Sequence, residues 1–360
     1  MAQALAEADK ARFWTSPNPS VGCVLVRDGV VIGRGFTQPA GGDHAEVQAL
    51  RAAVDSRGAT AYVTLEPCAH HGRTGPCADA LIAAGISRVV VACPDPHPLV
   101  AGRGLERLTD AGISVSVGIM AEAAEEQLRG FLLRVQRGYG RVRLKLGTSL
   151  DGRIAMASGE SQWITGLAAR RDVQRFRAMS CAILTGSGTA LADDCALTVR
   201  PQELALGDED VARATYRKPL RVLLDRQLRV GPQAKIYNDG APTLVFHGPD
   251  CEPPGYVDAV PVPVVADGLD LRAVLAELGR RGANEILVEA GPRLAGAFLQ
   301  AGLVDELVLY QAPLLLGKTA KPLVDISLEK LIDGIRLEYA DVSRIGDDLR
   351  IIATNSSLDQ

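Results

Sequence analysis

The order of apolar and polar positions breaks the chain into short strands and helices. Two β-rich runs, VGCVLVR (21–27) and VVIGRGF (30–36), flank Asp28-Gly29, and such a pair between strands predicts a hairpin. AEVQALRAAV (45–54) shifts to helical spacing of its apolar residues, and ATAYVTLE (59–66) reads as strand by its β-branched and aromatic content. ADALIAAG (78–85) predicts a helix that stops at Gly85, a residue suited to the position just past a helix end. RVVVAC (88–93) is a continuous apolar run, as expected of a strand covered on both faces. Residues 2–13, 104–112 and about 121–136 predict further helices, and 113–119 one more strand.

A basic, glycine-containing junction, RVQRGYGRVR (134–143), precedes a new strand, RVRLKLGTS (141–149). It divides the chain at about residue 140 into domains 1–140 and 141–360. Beyond it, strands are predicted at 181–186, 221–225, 243–246, 285–290 and 306–312, and helices at 168–179, 271–282 and 293–302. The stretch 201–219 has few apolar anchors and reads as a surface loop. Strand and helix alternate in both halves, which predicts α/β layers.

Composition narrows the function classes. The 360 residues suit two domains, and 47% hydrophobic content supplies two cores. Aromatics are only 4%, so those cores are built mainly of Ala, Val, Leu and Ile. A net charge of −4 argues against a nucleic-acid partner. No apolar run reaches the roughly 18 residues of a membrane span. The amphipathic start has no secretory core, so a cytoplasmic location is expected. Seven scattered cysteines do not form a disulfide framework.

Two of those cysteines belong to a metal pattern. His44-Ala45-Glu46 is followed by Pro67-Cys68 and by Cys77. His44, Cys68 and Cys77 offer one imidazole and two thiolates, leaving a fourth position for water, as in catalytic zinc sites. Glu46, two residues after a ligand, is placed to act on that water. Zinc-dependent nucleobase deaminases carry H-x-E and P-C-x-x-C. Here eight residues separate the cysteines, so the segment 69–76 must loop out and return Cys77 near the start of the helix 78–85. His70 and His71 are expected to line that loop, and His97 and His247 to be structural.

In the second half no G-x-G-x-x-G follows a strand, so the Rossmann fingerprint is absent. Two other turns do follow strands. Thr185-Gly186-Ser187-Gly188-Thr189 has small residues that let a phosphate or nicotinamide approach the backbone. Glu289-Ala290-Gly291-Pro292 opens a helix, whose free N–H groups suit an anion. Taken alone, an ordinary glycine-rich loop and a tight turn with proline at the first helical position are the better readings; two such turns in one α/β domain favour cofactor binding. Lys145 interrupts an apolar strand, so its head needs a polar partner or a ligand. Asp151, in an Asp-Gly pair, reads as a turn residue.

Together TSPNPSVGCVLV (15–26), HAEVQAL (44–50), AYVTLEPCAHHGRTGPC (61–77), LKLGTSLDGRIAMASGESQWIT (144–165), ILTGSGTALADDCALTVR (183–200) and VEAGPRLAGAFLQAGLVDEL (288–307) resemble the RibD family of bifunctional riboflavin biosynthesis enzymes. The resemblance covers nearly the whole chain. It implies a cytidine-deaminase-like α/β/α layer domain followed by a dihydrofolate-reductase-like α/β domain. It implies hydrolytic deamination of 2,5-diamino-6-(ribosylamino)-pyrimidin-4-one 5′-phosphate with one zinc, then reduction of the ribosyl group to ribityl by NADPH. It also implies a homo-oligomer, a dimer or larger.

The family's cofactor contacts fall on Gly147, Trp163, Thr189, Asp193 and the run Gly291, Pro292, Arg293, Leu294, Ala295, Gly296 and Ala297. Its substrate contacts fall on Ser161, Arg177, Leu197, Arg200 and Glu289. Arg177 and Arg200 are sensible phosphate partners, although Arg177 stands in a helix rich in arginine, where a solvated face is the plain alternative. Asn18 is equally a pyrimidine contact or a turn residue between prolines. Two positions depart from the family pattern: Gly75 replaces a proline of GRTPPC, and Ser20 replaces the arginine of PNPRVG.

Two other readings compete. A deaminase of tRNA or single strands would need a basic groove and stacking aromatics, which this composition does not favour. A purely structural zinc would need a fourth protein ligand, and only three are evident.

Overall fold

A computed structural model describes residues 1–69, 75–97, 100–238 and 240–355. The chain forms two units, one of residues 1–140 with 212–217 and 282–284, the other of 141–211, 218–281 and 285–360.

The first unit holds a five-stranded sheet in the order Val30–Phe36, Gly22–Arg27, Thr60–Leu65, Arg88–Cys93, Ser114–Val117. The first two contacts are antiparallel and the last two parallel. Asp28 and Gly29 both take positive φ, 51° and 77°, the backbone that matches a two-residue hairpin to the twist of its strands. Leu25, Val63, Val91, Leu81, Leu108 and Leu128 fill the core between this sheet and its helices.

Helix Ala45–Ala52 lies very close to strand Val30–Phe36. A side chain on Gly33 would meet the Ala49 carbonyl at 2.3 Å, and one on Gly35 the Ala45 carbonyl at 2.2 Å. These glycines therefore set the height of the helix that carries His44 and Glu46. The prediction is that Gly35→Val displaces this helix and lowers both zinc content and melting temperature. Metal analysis and thermal unfolding check it.

The second unit is built on a nine-stranded sheet, in the order Asp258–Pro261, Thr243–His247, Leu220–Leu224, Ala182–Gly186, Glu285–Glu289, Arg141–Ser149, Glu306–Ala312, Asp348–Thr354, Glu338–Ile345. The first seven strands are parallel and the last two antiparallel. Helices Leu167–Met179, Leu271–Arg280 and Pro292–Gln300 connect the parallel part.

Two expectations differ from this structure. The stretch 201–219 is not a plain loop: it holds a 3₁₀ turn, Pro201–Glu203, and helix Asp208–Tyr216. Its anchors are few but effective, since Ala214 is fully buried, Tyr216 meets Trp14 edge-on at 5.7 Å and Arg213 lies over Phe36. The C-terminal hairpin Glu338–Ile345 and Asp348–Thr354, turning at Gly346, was not anticipated. Its outer strand is largely polar and exposed and lacks a clear apolar alternation.

Two candidate active sites

His44 caps the N-terminus of helix Ala45–Ala52, Cys68 lies just past strand Thr60–Leu65, and Cys77 is the first residue of helix Cys77–Ala83. Their ligand atoms all lie within 4.8 Å of one another. His44 Nδ1 is 3.2 Å from Cys77 Sγ and 3.6 Å from Cys68 Sγ. A tetrahedral zinc ~2.3 Å from sulfur and ~2.0 Å from nitrogen holds such donors roughly 3.5–3.8 Å apart, so the donor set fits the ion in type and spacing. Among the described residues this is the single cluster of three such groups.

Electrostatics sort the donors. The Cys77 thiol and the Cys77 N–H, the latter at 3.3 Å, donate to Cys68 Sγ and hold it as a thiolate at about 4; His44 adds to the effect. Cys77 is pushed up in consequence, by that same bond and by burial. Glu46 is buried, 3% exposed. Burial, and then the negative Cys68, raise it to about 7 against the pull of His44. A carboxyl near neutrality suits proton exchange in both directions.

Around this centre, Gly75 is exposed, and a side chain there would meet no atom of the other described residues within 4 Å. Ser20 Oγ lies 3.0 Å from Thr15 Oγ1. The Asn18 N–H closes a turn on the Thr15 carbonyl at 2.9 Å. His70 and His71 lie outside the described residues. His247 is buried, with Nδ1 2.8 Å from the Gly248 carbonyl.

The second site is a cleft of about 1860 Å³ at the carboxyl ends of the parallel strands, where α/β sheets commonly receive ligands. It brings together Gly147, Ser161, Trp163, Arg177, Thr189, Asp193, Leu197, Arg200, Glu289, Gly291, Pro292, Arg293, Leu294 and Ala297. Ala295 and Gly296 are not on its wall. Ala295 is fully buried, and a side chain on Gly296 would strike the Asp325 carbonyl at 2.4 Å. Both face inward because the first turn of helix Pro292–Gln300 must pack on one side to present the other.

Gly291 caps that helix with no side-chain bond of its own, and its N–H donates to Thr189 Oγ1 at 3.0 Å. Its φ is −74°, so glycine is not required by the backbone. A Cβ there would make an ordinary contact, 3.4 Å from Thr189 Oγ1 on the cleft wall. TGSGT is likewise more than a loop, for a helix begins at Ser187.

Arg177 is not on a solvated face. Its Nε and Nη2 donate to Glu289 at 2.6 and 3.0 Å, and Nη1 to the Thr198 carbonyl at 3.0 Å. The guanidinium expected to grip phosphate is thus engaged with Glu289, while Arg200 stays at the surface against Glu203. Burial works to raise Glu289, but Arg177, Lys145 and Arg200 outweigh it and hold its carboxyl at about 2. Lys145 lines the cleft beside this pair. Burial lowers it from the ordinary lysine range, with Glu289 opposing and Arg177 assisting. Asp151 is more than a turn residue, since its carboxylate accepts from Ser149 Oγ at 2.5 Å, Leu316 N at 3.1 Å and Gly317 N at 2.8 Å, tying two loops together.

Comparison with known proteins bears on both sites. The family model of the RibD C-terminal domain matches residues 141–351, more than half of the chain. That of the cytidine and deoxycytidylate deaminase zinc-binding region matches residues 1–93. The chain is 52% identical over 358 residues to riboflavin biosynthesis protein RibD of Escherichia coli K12, covering 97% of this chain and 96% of that protein. The chain belongs to the RibD family. It is an enzyme with two activities, a deaminase and a reductase of riboflavin biosynthesis.

Solved RibD structures agree. That of Acinetobacter baumannii RibD, form 1, superposes with a TM-score of 0.90 at 44% identity, covering 99% of this chain and 97% of that one. A Thermotoga maritima diaminohydroxyphosphoribosylaminopyrimidine deaminase/5-amino-6-(5-phosphoribosylamino)uracil reductase gives 0.86 at 32% identity, with the same coverage. The expected order, deaminase domain then RibD reductase domain, is the one found. Among the described residues, no helix is long and apolar enough to cross a membrane.

Lys145, whose head needs a polar partner or a ligand in an otherwise apolar strand, lies on the cleft wall near Glu289. Its position beside Glu289 depends on the parallel register Glu289↔Lys145, which spacing along one chain does not reveal.

Proposed function

We propose that the first site deaminates 2,5-diamino-6-(ribosylamino)-pyrimidin-4-one 5′-phosphate, and that the second reduces the ribosyl side chain of the product to ribityl. The observation that carries the first assignment is the triad His44, Cys68 and Cys77 beside a buried carboxylate, Glu46, that is not needed as a ligand. These three residues would hold zinc, which when bound lowers the pKa of a coordinated water from ~15.7 toward ~7. Glu46 takes a proton from the attacking water and passes it to the ring nitrogen and then to the leaving amine. The C2–N bond breaks, a C2–O bond forms and ammonia departs.

In the second site Gly291 and Thr189 form a small-residue cradle at the start of helix Pro292–Gln300, where the first-turn N–H groups of Arg293 and Leu294 have no intrahelical partner, which suits a dinucleotide phosphate. NADPH, when bound, supplies the hydride. On the chain's side, Lys145 gives the proton to the ribose ring oxygen as the C1′–O4′ bond opens and C1′ accepts the hydride. Glu289, fixed by Arg177, favours the charged form of Lys145 from the adjacent strand. Arg200 and the backbone near Leu197 receive the phosphate.

Two outcomes are expected here. Cys68→Ser or Cys77→Ser lowers zinc from about one per chain to near zero and abolishes ammonia release, while NADPH oxidation with pre-deaminated substrate continues. Gly291→Val fills the cradle and raises the dissociation constant for NADPH by tenfold or more, on the order of one lost charge-assisted contact. Deamination is untouched. Metal analysis and fluorescence titration measure these.

The protein is further read as a cytoplasmic homo-oligomer. All seven cysteines are free thiols, which suits a reducing compartment. Strand Glu338–Ile345 is a sheet edge with Tyr339 and Val342 exposed, and such edges are normally covered. Light scattering that gives a monomer mass at working concentration would contradict the oligomer.

A further inference from the structure

Arg221 is the largest side chain fully withdrawn from solvent. It stands on strand Leu220–Leu224 and takes no part in the cleft wall. Among the described residues its guanidinium donates to the backbone carbonyls of Ala196 at 3.3 Å, Asn238 at 3.0 Å and Ala241. Its buried Nε has no hydrogen-bond acceptor among the described residues, so the bonds to these carbonyls offset the cost of burying the charge.

The Ala196 carbonyl matters most. It begins the segment that lines the cleft through Ala196, Leu197, Thr198 and Arg200. The Leu197 side chain is turned into the core, only 4% exposed, among Leu223 and Ile236. It is therefore the backbone of Leu197 that meets the cleft. Leu197 has a φ of +52°, a left-handed conformation that leucine keeps only when its surroundings hold it there.

A trans peptide directs its C=O and N–H to opposite sides. With the Ala196 carbonyl held by Arg221, the N–H of Leu197 is directed to the opposite side of that peptide. Among the described residues, this N–H has no hydrogen-bond acceptor. The next peptides are also fixed: the Thr198 carbonyl accepts from Arg177 at 3.0 Å, and the Arg200 N–H donates to the buried Gln174 Oε1 at 2.9 Å. The Arg200 side chain lies at the rim, 48% exposed, with Nη1 donating to Glu203 at 3.0 and 3.2 Å.

We propose that Arg221 is a positioning residue for substrate recognition in the reductase. By holding the Ala196 carbonyl it presents the Leu197 N–H to an oxygen of the substrate's phosphate, next to the Arg200 guanidinium. A donor fixed in advance toward an anion binds it without ordering cost. This rests on the reading that the cleft takes a phosphorylated ribosyl substrate.

The test uses full-length Arg221→Met and Arg221→Lys. Each is assayed with the deaminated phosphorylated substrate, with its dephosphorylated counterpart, and for NADPH affinity by fluorescence. Wild type favours the phosphorylated compound. In Arg221→Met, kcat/KM for that compound falls roughly 10- to 100-fold, mainly through KM. The dephosphorylated compound is turned over as by wild type, and NADPH affinity and ammonia release are unchanged. Arg221→Lys recovers part of the loss, because an ammonium still donates to a carbonyl. An equal loss with both compounds, or a matching loss of NADPH affinity, overturns the proposal and leaves Arg221 a purely structural residue. If Arg221→Met does not fold, Arg221→Lys decides by the same comparison. Failure of wild type to distinguish the two compounds would instead sink the phosphate reading of the cleft, and the role of Arg221 with it.

Discussion

Replacing Glu46 by Gln is expected to slow ammonia release by roughly 10²- to 10⁴-fold, the usual worth of a positioned general acid–base, while zinc stays bound. Glutamine keeps the size and polarity of the side chain but cannot take a proton. The three ligand atoms belong to His44, Cys68 and Cys77, so the metal loses nothing. The helix start that bears Glu46 is seated by Gly33 and Gly35, and neither is touched. NADPH oxidation supplied with deaminated substrate should run at the wild-type rate. Near-normal ammonia release by the variant, at full zinc content, would remove Glu46 from the mechanism.

Lys145→Met is expected to do the same to the other half, lowering reductase kcat by about 10²- to 10⁴-fold with NADPH affinity retained. Methionine follows the lysine stem but offers no proton. The sign with pH is also fixed. Lys145 must be protonated to donate, and burial followed by Arg177 brings its pKa down. Reductase activity should therefore fall as pH rises through a value below the ordinary lysine range. Glu289→Gln, which removes the opposing negative charge, should move that fall to lower pH. A basic limb that stays in place in both variants would show that another group supplies the proton.

Much of this architecture could be read from residues before any coordinates. The hairpin at Asp28-Gly29, the strand RVVVAC and the helix ending before Gly85 are local patterns, and local patterns survive folding. The zinc triad was legible because its residue types are rare together and stand in a fixed order. The cleft was less so. Ala295 and Gly296 sit inside a run whose neighbours line the cleft, and only the packing of Gly296 on Asp325 shows that they point away. The place of Lys145 beside Glu289 arises from parallel strand register, and the Arg177–Glu289 pair from helix Leu167–Met179 packing on strand Glu285–Glu289. Helix Asp208–Tyr216 was missed because one buried alanine and one aromatic contact secure it, too little for a periodic signal.

The central claim is that one chain carries both steps in sequence. Its most direct test supplies purified, zinc-loaded protein with NADPH and the diamino ribosylamino-pyrimidinone phosphate, and follows absorbance and ammonia together. The account predicts ammonia released first and NADPH oxidation after a lag, both lost in Glu46→Gln, with NADPH oxidation alone restored when deaminated substrate is added. NADPH oxidation with no lag and no ammonia, or ammonia with no NADPH oxidation at any time, would contradict it.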